Sequence, residues 1–281
     1  MADHADAHIH LFEHSLESSF PARPGVEIDE AACYDSIAAE LNVKAALIVC
    51  YAAGERYAGN NEYVSGLIEQ YDWIRPAAYV DVGEPPSLAT LEGWRDQGFI
   101  GLTMYPGAAL EKLRQFPDEI WEWMIEHGWV LSVNASGEAW SAWTDILDRH
   151  EQLRLLLSHL GLPPKATGPI DAATARAAMI HQTGLAKYPQ VAVKLSGFYA
   201  LTEPSYDYPH ELAWPYVKVL LKVFGVERLL WASDYTPCLN HHTVPQTLHL
   251  FDKMPFLSAG DCEAITGGNL LKLLQQASVQ G

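Results

Sequence analysis

Basic residues are scarce in this chain. Lysine and arginine total 18 against 35 aspartates and glutamates, a formal net charge of -17. Nucleic-acid and anionic membrane surfaces demand basic patches, so the charge balance argues against both as partners. Cysteine is sparse as well. Cys33, Cys50, Cys238 and Cys262 lie far apart without CxxC spacing, which leaves no sign of a disulfide framework or a thiolate zinc site. No apolar run is long enough to span a bilayer, no signal-peptide pattern precedes the first apolar segment, and the expected location is the cytoplasm. Low-complexity tracts are missing too. What the 281 residues do hold is 49% hydrophobic residues and nine tryptophans, ample for one large core. A single domain over 1–281 is the expectation.

Short β-rich apolar runs alternate with longer helical patterns. The expected strands are Asp6 to Phe12, Ala45 to Tyr51, Arg75 to Val80, Ile100 to Tyr105, Trp129 to Val133, Leu153 to Ser158, Val191 to Leu195 and Arg228 to Ser233. Helices are expected near 29–41, 60–71, 87–97, 117–127, 138–149, 171–187 and 210–224. Apolar strands separated by helices imply a parallel sheet covered by helices, and eight such units are the number that closes a barrel. The fold class is therefore α/β, a single (β/α)8 TIM barrel. The competitor, a doubly wound open sheet, lacks the Gly-rich turn expected after its first strand.

In such a barrel chemistry gathers at the C-terminal ends of the strands. Alternation along Asp6-Ala7-His8-Ile9-His10-Leu11-Phe12 points Asp6, His8 and His10 to one face, where two imidazoles can hold one ion or bracket one substrate group. Strand four offers Tyr105, strand five Asn134, strand six His159, strand seven Lys194 with Ser196, and strand eight Asp234. Each has a plainer reading. His159 can be a core histidine satisfied by a carbonyl, Asp234 a turn or helix cap, and Lys194 an edge residue that snorkels to water. His241 and His242 read as a solvent-facing pair, though near enough to the mouth to reach it. His127, His150, His181, His210 and His249 read as surface.

Several segments together carry a resemblance. Asp6 to Phe12, Ser158-His159-Leu160-Gly161, Val193-Lys194-Leu195-Ser196-Gly197, Ser233-Asp234-Tyr235-Thr236-Pro237 and Ile265-Thr266-Gly267-Gly268-Asn269-Leu270-Leu271 resemble the amidohydrolase-related TIM-barrel family. The likeness runs from end to end and leans to its lactonase branch, which holds sugar-lactone and pyrone-dicarboxylate lactonases. It implies a hydrolase that opens a lactone or related cyclic ester of a small polar or carboxylated substrate. A metal-dependent decarboxylase and a non-catalytic sugar-acid-binding barrel remain the alternatives.

In metal-containing members the strand-one histidines, a strand-five histidine and the strand-eight aspartate hold the ion. His8, His10 and Asp234 match, with His159 as a catalytic or further ligand, but Asn134 stands where the strand-five histidine is expected. An amide is a poor zinc ligand beside imidazole, so the expectation is either one divalent ion, zinc first, or none. Ester hydrolysis needs a base and a group that holds the developing oxyanion. Asp234 is the candidate base, and His8, His10 and His159 are the candidates to polarise the carbonyl. Lys194, Asn134, Tyr105 and Tyr199 are expected substrate contacts. Oligomeric state is left open, a homo-oligomer included.

Overall fold

The structure is a computed structural model that describes residues 2–16, 28–107 and 109–278. Eight parallel strands follow one another in sequence order: β1 (His4–Ile9), β2 (Val43–Val49), β3 (Ile74–Tyr79), β4 (Gly101–Met104), β5 (Val130–Val133), β6 (Arg154–Leu157), β7 (Ala192–Leu195) and β8 (Leu229–Trp231). The seam between first and last strands is closed at its C-terminal end. Ile9 bridges Tyr235 in parallel, and the Asp234 amide donates to the His8 carbonyl at 2.9 Å. This is a (β/α)8 barrel.

Alternation along the strands sorts residues into two layers, with β1 irregular between Asp6 and Ile9. Outward-facing Leu131, Val133, Leu155, Leu157 and Val193 share one buried cluster with helix residues such as Trp121, Trp143, Leu220 and Phe224. The opposite faces converge inside the cylinder. Lys194 on β7, Ser132 on β5 and His8 on β1 come from strands that are not neighbours, yet their side chains touch, which only the barrel interior permits.

The expected elements are found with trimmed ends. β1 stops at Ile9, so His10 stands just past it, and Asp234 follows β8 by three positions. The helix expected over 60–71 is shorter, Asn60–Ser65. Beyond it Leu67 and Ile68 donate to Val64 and Ser65, three residues back, so the chain tightens into turns. The segment 171–187 is likewise divided, into Ala172–Ala178 and Ile180–Gly184. Among the described residues no helix is long and apolar enough to cross a membrane.

Candidate active site

At the C-terminal rim the strand-end residues meet. His8 Nε2 and His10 Nε2 lie 3.1 Å apart, and Asp234 Oδ1 stands 3.7 Å from the first and 3.9 Å from the second. His159 Nδ1 is 3.9 Å from Asp234 Oδ2, and its ring centroid is 4.8 Å from that of His8. All four side chains are buried. Groups separated by more than two hundred positions thus share one cluster.

Local conformation sets these side chains. Both His159 and Asp234 have left-handed backbone, with φ of 53° and 60°, a region that costs energy outside glycine and that gathers at functional sites. The strand-to-loop turns after β6 and β8 spend that strain to aim the two residues inward. Asp234 does not act as a side-chain helix cap. Its Oδ2 accepts the Tyr199 hydroxyl at 2.5 Å, and the negative charge pushes the Tyr199 phenol further up beyond what burial already does. His10 Nδ1 donates to the Val49 carbonyl at 2.7 Å, so its Nε2 presents a lone pair to the cluster. His159 Nδ1 pairs with Ser196 Oγ at 2.9 Å.

Burial decides the charge of these groups. It lowers the pKa of His8 far, assisted by Lys194, and lowers those of His10 and His159 against the pull of Asp234. The imidazoles are therefore neutral at pH 7. Lys194 is fully buried, which rules out its snorkelling to water. Its Nζ donates to Ser132 Oγ at 2.7 Å and sits 3.4 Å from His8 Nδ1. Burial brings it down to about 7, opposed by Asp6 and Asp234. The group lies behind the histidines as seen from the mouth.

Of the expected substrate contacts, Tyr199 and Tyr105 face the cluster. Tyr105 is half-buried, with the Asp234 charge reinforcing the upward push of burial on its phenol. Asn134 is half-buried just past β5, and among the described residues no hydrogen bond ties its amide to the cluster. Three histidines read as surface are not. His210 and His242 are buried, and His150 is buried with Nε2 3.0 Å from Asp118 Oδ1. All three lie in loops or just past a helix end, where no period reports burial.

Sequence reasoning missed a wall of aromatic rings. Tyr51 stands 4.9 Å from Tyr105, 5.7 Å from Tyr79 and 5.7 Å from Tyr57, and Phe12 stacks on His10 at 5.7 Å. Tyr79 ends β3 and Tyr51 stands two positions past β2, strand-end places of the kind that hold the other site residues. Also missed was Tyr34, whose hydroxyl donates to Asp6 Oδ2 at 2.9 Å. Asp6 Oδ1 accepts the amides of His8 and Ser233, binding β1 to β8 beneath the cluster.

The sequence profile of the amidohydrolase family matches residues 5–275. The chain belongs to the amidohydrolase family. An L-fucono-1,5-lactonase from Burkholderia ambifaria is 33% identical over 87 residues, and that match spans 31% of this amidohydrolase chain and 28% of the relative. Several solved structures share the fold. An amidohydrolase from Burkholderia multivorans with bound zinc superposes with a TM-score of 0.78 at 18% identity, covering 98% of this chain and 99% of the other. A protein described as a probable 2-pyrone-4,6-dicarboxylic acid hydrolase from Acinetobacter baumannii, with citric acid bound, gives 0.70 at 19% identity, covering 97% and 99%.

The donor set fits a single divalent ion. Two donors bound tetrahedrally at the zinc distances of about 2.0–2.1 Å are separated by roughly 3.3 Å, and the 3.1, 3.7 and 3.9 Å spacings among His8, His10 and Asp234 bracket that value. His8, His159 and Asp234 also offer ligand atoms all within 4.8 Å of one another. Burial favours the neutral form of these imidazoles, which is the form that coordinates.

Proposed function

We propose that this amidohydrolase opens a lactone ring by adding water to its carbonyl. The observation that carries the reading is a buried carboxylate, Asp234, held by a phenol and faced within 3.9 Å by three buried imidazoles at a barrel mouth. Such a group can take a proton from water, while an N–H of His8 or His159 can receive the developing oxyanion; His10 Nε2, a lone pair, cannot. Asp234 accepts the proton as the water oxygen bonds to the carbonyl carbon. The tetrahedral adduct then expels the ring oxygen, which takes up that proton as the C–O bond breaks. The product is a hydroxy acid, which gives up one proton to neutral solution.

His8, His10 and Asp234 would hold a divalent ion, zinc first, with His159 as a further ligand. Bound there, the ion supplies a Lewis acid for the ester carbonyl. The zinc in the Burkholderia multivorans structure supports that reading. Tyr199 orients the carboxylate, and the rings of Tyr51, Tyr79 and Tyr105 form an apolar side on which a ring-shaped substrate can lie. A small sugar lactone is the favoured substrate, in keeping with the lactonase relative.

The test is acid release at constant pH from a panel of aldono-1,4- and 1,5-lactones and 2-pyrone-4,6-dicarboxylate. Saturable acid release from at least one member is expected. Carbon dioxide from an aromatic acid with every lactone left intact would overturn the reading. So would thermal stabilisation by lactones without turnover.

A further inference from the structure

A second group of histidines lies behind Tyr199, outside the proposed chemistry. His210 and His242 are buried, with ring centroids 4.9 Å apart. Among the described residues, the buried atoms His210 Nε2 and His242 Nδ1 have no hydrogen-bond partner. Both residues line a cavity of about 10 Å³, together with Ser196, Tyr199 and Ser233. That is the room one water needs, and water fills such a space when polar partners surround it.

Thr202 Oγ1 lies 2.7 Å from His210 Nδ1 and 3.3 Å from the Phe198 carbonyl. A hydroxyl has one proton, so His210 Nδ1 either donates to Thr202 or accepts from it, and His210 Nε2 is left as a bare lone pair or a bare N–H that requires a partner. Burial and the two neighbouring histidines push His210 down to about 4, which favours the neutral ring. His242 Nδ1 can give or accept. A water molecule does both and matches the cavity in size.

We propose that this cavity is a site for one water molecule that bridges His210 Nε2 and His242 Nδ1 and so positions Tyr199 on Asp234. The proposal rests on the role given above to Asp234. His210 belongs to the long loop after β7, and His242 to the loop after β8. The bridge ties one loop to the other. Tyr199 sits in that junction, stacked on His241 at 4.5 Å and 16° and edge-on to His242 at 5.8 Å. His242 and His210 act through Tyr199 and touch no reacting atom.

Two measurements test this. A high-resolution crystal structure of the full chain should show an ordered solvent peak within hydrogen-bonding distance of both nitrogens, and an empty cavity would overturn the proposal. His242→Phe keeps a ring against Tyr199 and removes the nitrogen, whereas His242→Asn keeps a short polar atom. On a lactone that the wild type hydrolyses, His242→Phe should lower kcat about 10- to 100-fold with KM little changed, the usual effect of losing an outer partner. His242→Asn should recover most of it. Wild-type kcat in His242→Phe, or equal loss in both variants, would overturn the positioning role. Should no lactone be turned over by the wild type, the hydrolase reading falls, and the solvent peak alone decides the water site.

Discussion

An ammonium group with no exposed surface must be paired or give up its proton, and among the described residues Lys194 meets only Ser132 and a histidine ring within hydrogen-bond reach. Its folded pKa of about 7 lies below the unfolded value of 10.5. Between those values the unfolded chain binds more protons, so this group makes stability rise with pH from about 7 towards 10.5 and imposes its full penalty below 7. Lys194→Met removes the penalty. Thermal unfolding from pH 6 to 9.5 should show the variant gaining most on the wild type at the acidic end, by a few kcal/mol, with the gap closing as pH rises. A gap independent of pH would show that the lysine is not desolvated. At the same scale, Tyr199→Phe removes the hydroxyl that Asp234 Oδ2 accepts. It should lower kcat about tenfold, the equivalent of one charge-assisted hydrogen bond, with the far-UV spectrum unchanged.

Among the elements, the turn after β7 governs the site most closely. Gly197 has φ of 65°, and a Cβ there would lie 2.8 Å from His159 Nδ1 and 3.1 Å from Cγ. Gly197→Ala therefore combines left-handed strain of about 1 kcal/mol with a push on the imidazole and its bond to Ser196. Activity should fall by an order of magnitude or more while the melting temperature drops only a few degrees. Unchanged kinetics would mean that the ring shifts without consequence. The strands themselves were readable because a period of two survives in sequence: Lys194 and Ser132 face inward between outward-facing Leu131, Val133 and Val193. On β1 the period holds for His8 and His10 but not for Asp6, which was expected on their face: the register shifts between Asp6 and Ile9, and the Asp6 carboxylate turns to Tyr34 of the outer layer. The loops were not readable. The left-handed backbone at His159 and Asp234 leaves no mark in residue type, and the burial of His210 and His242 comes from contacts between the β7 and β8 loops, which no local pattern records.

For the whole molecule, eight apolar strands spaced by helices were enough to anticipate the closed parallel barrel, because few architectures bury both faces of such a sheet. What closes it is less visible. Asp6 links β1 to β8 by accepting the Ser233 amide at 2.9 Å, a contact that needs the seam to exist before it can be seen. The core is apolar and continuous around the barrel, so chelation should leave the fold intact. Adding zinc to chelator-treated protein should raise the melting temperature in a concentration-dependent way, and Asp234→Asn should reduce that rise. Equal zinc stabilisation in both proteins would remove Asp234 from the ligand set.

The proposed hydrolysis turns on one carboxylate taking a proton from water. Asp234→Asn preserves size and the neighbouring hydrogen-bond geometry while abolishing that basicity. On the best lactone of the panel, acid release should slow by about 10²- to 10⁴-fold with the melting temperature near that of the wild type. A variant that turns over the lactone at close to the wild-type rate would contradict the account.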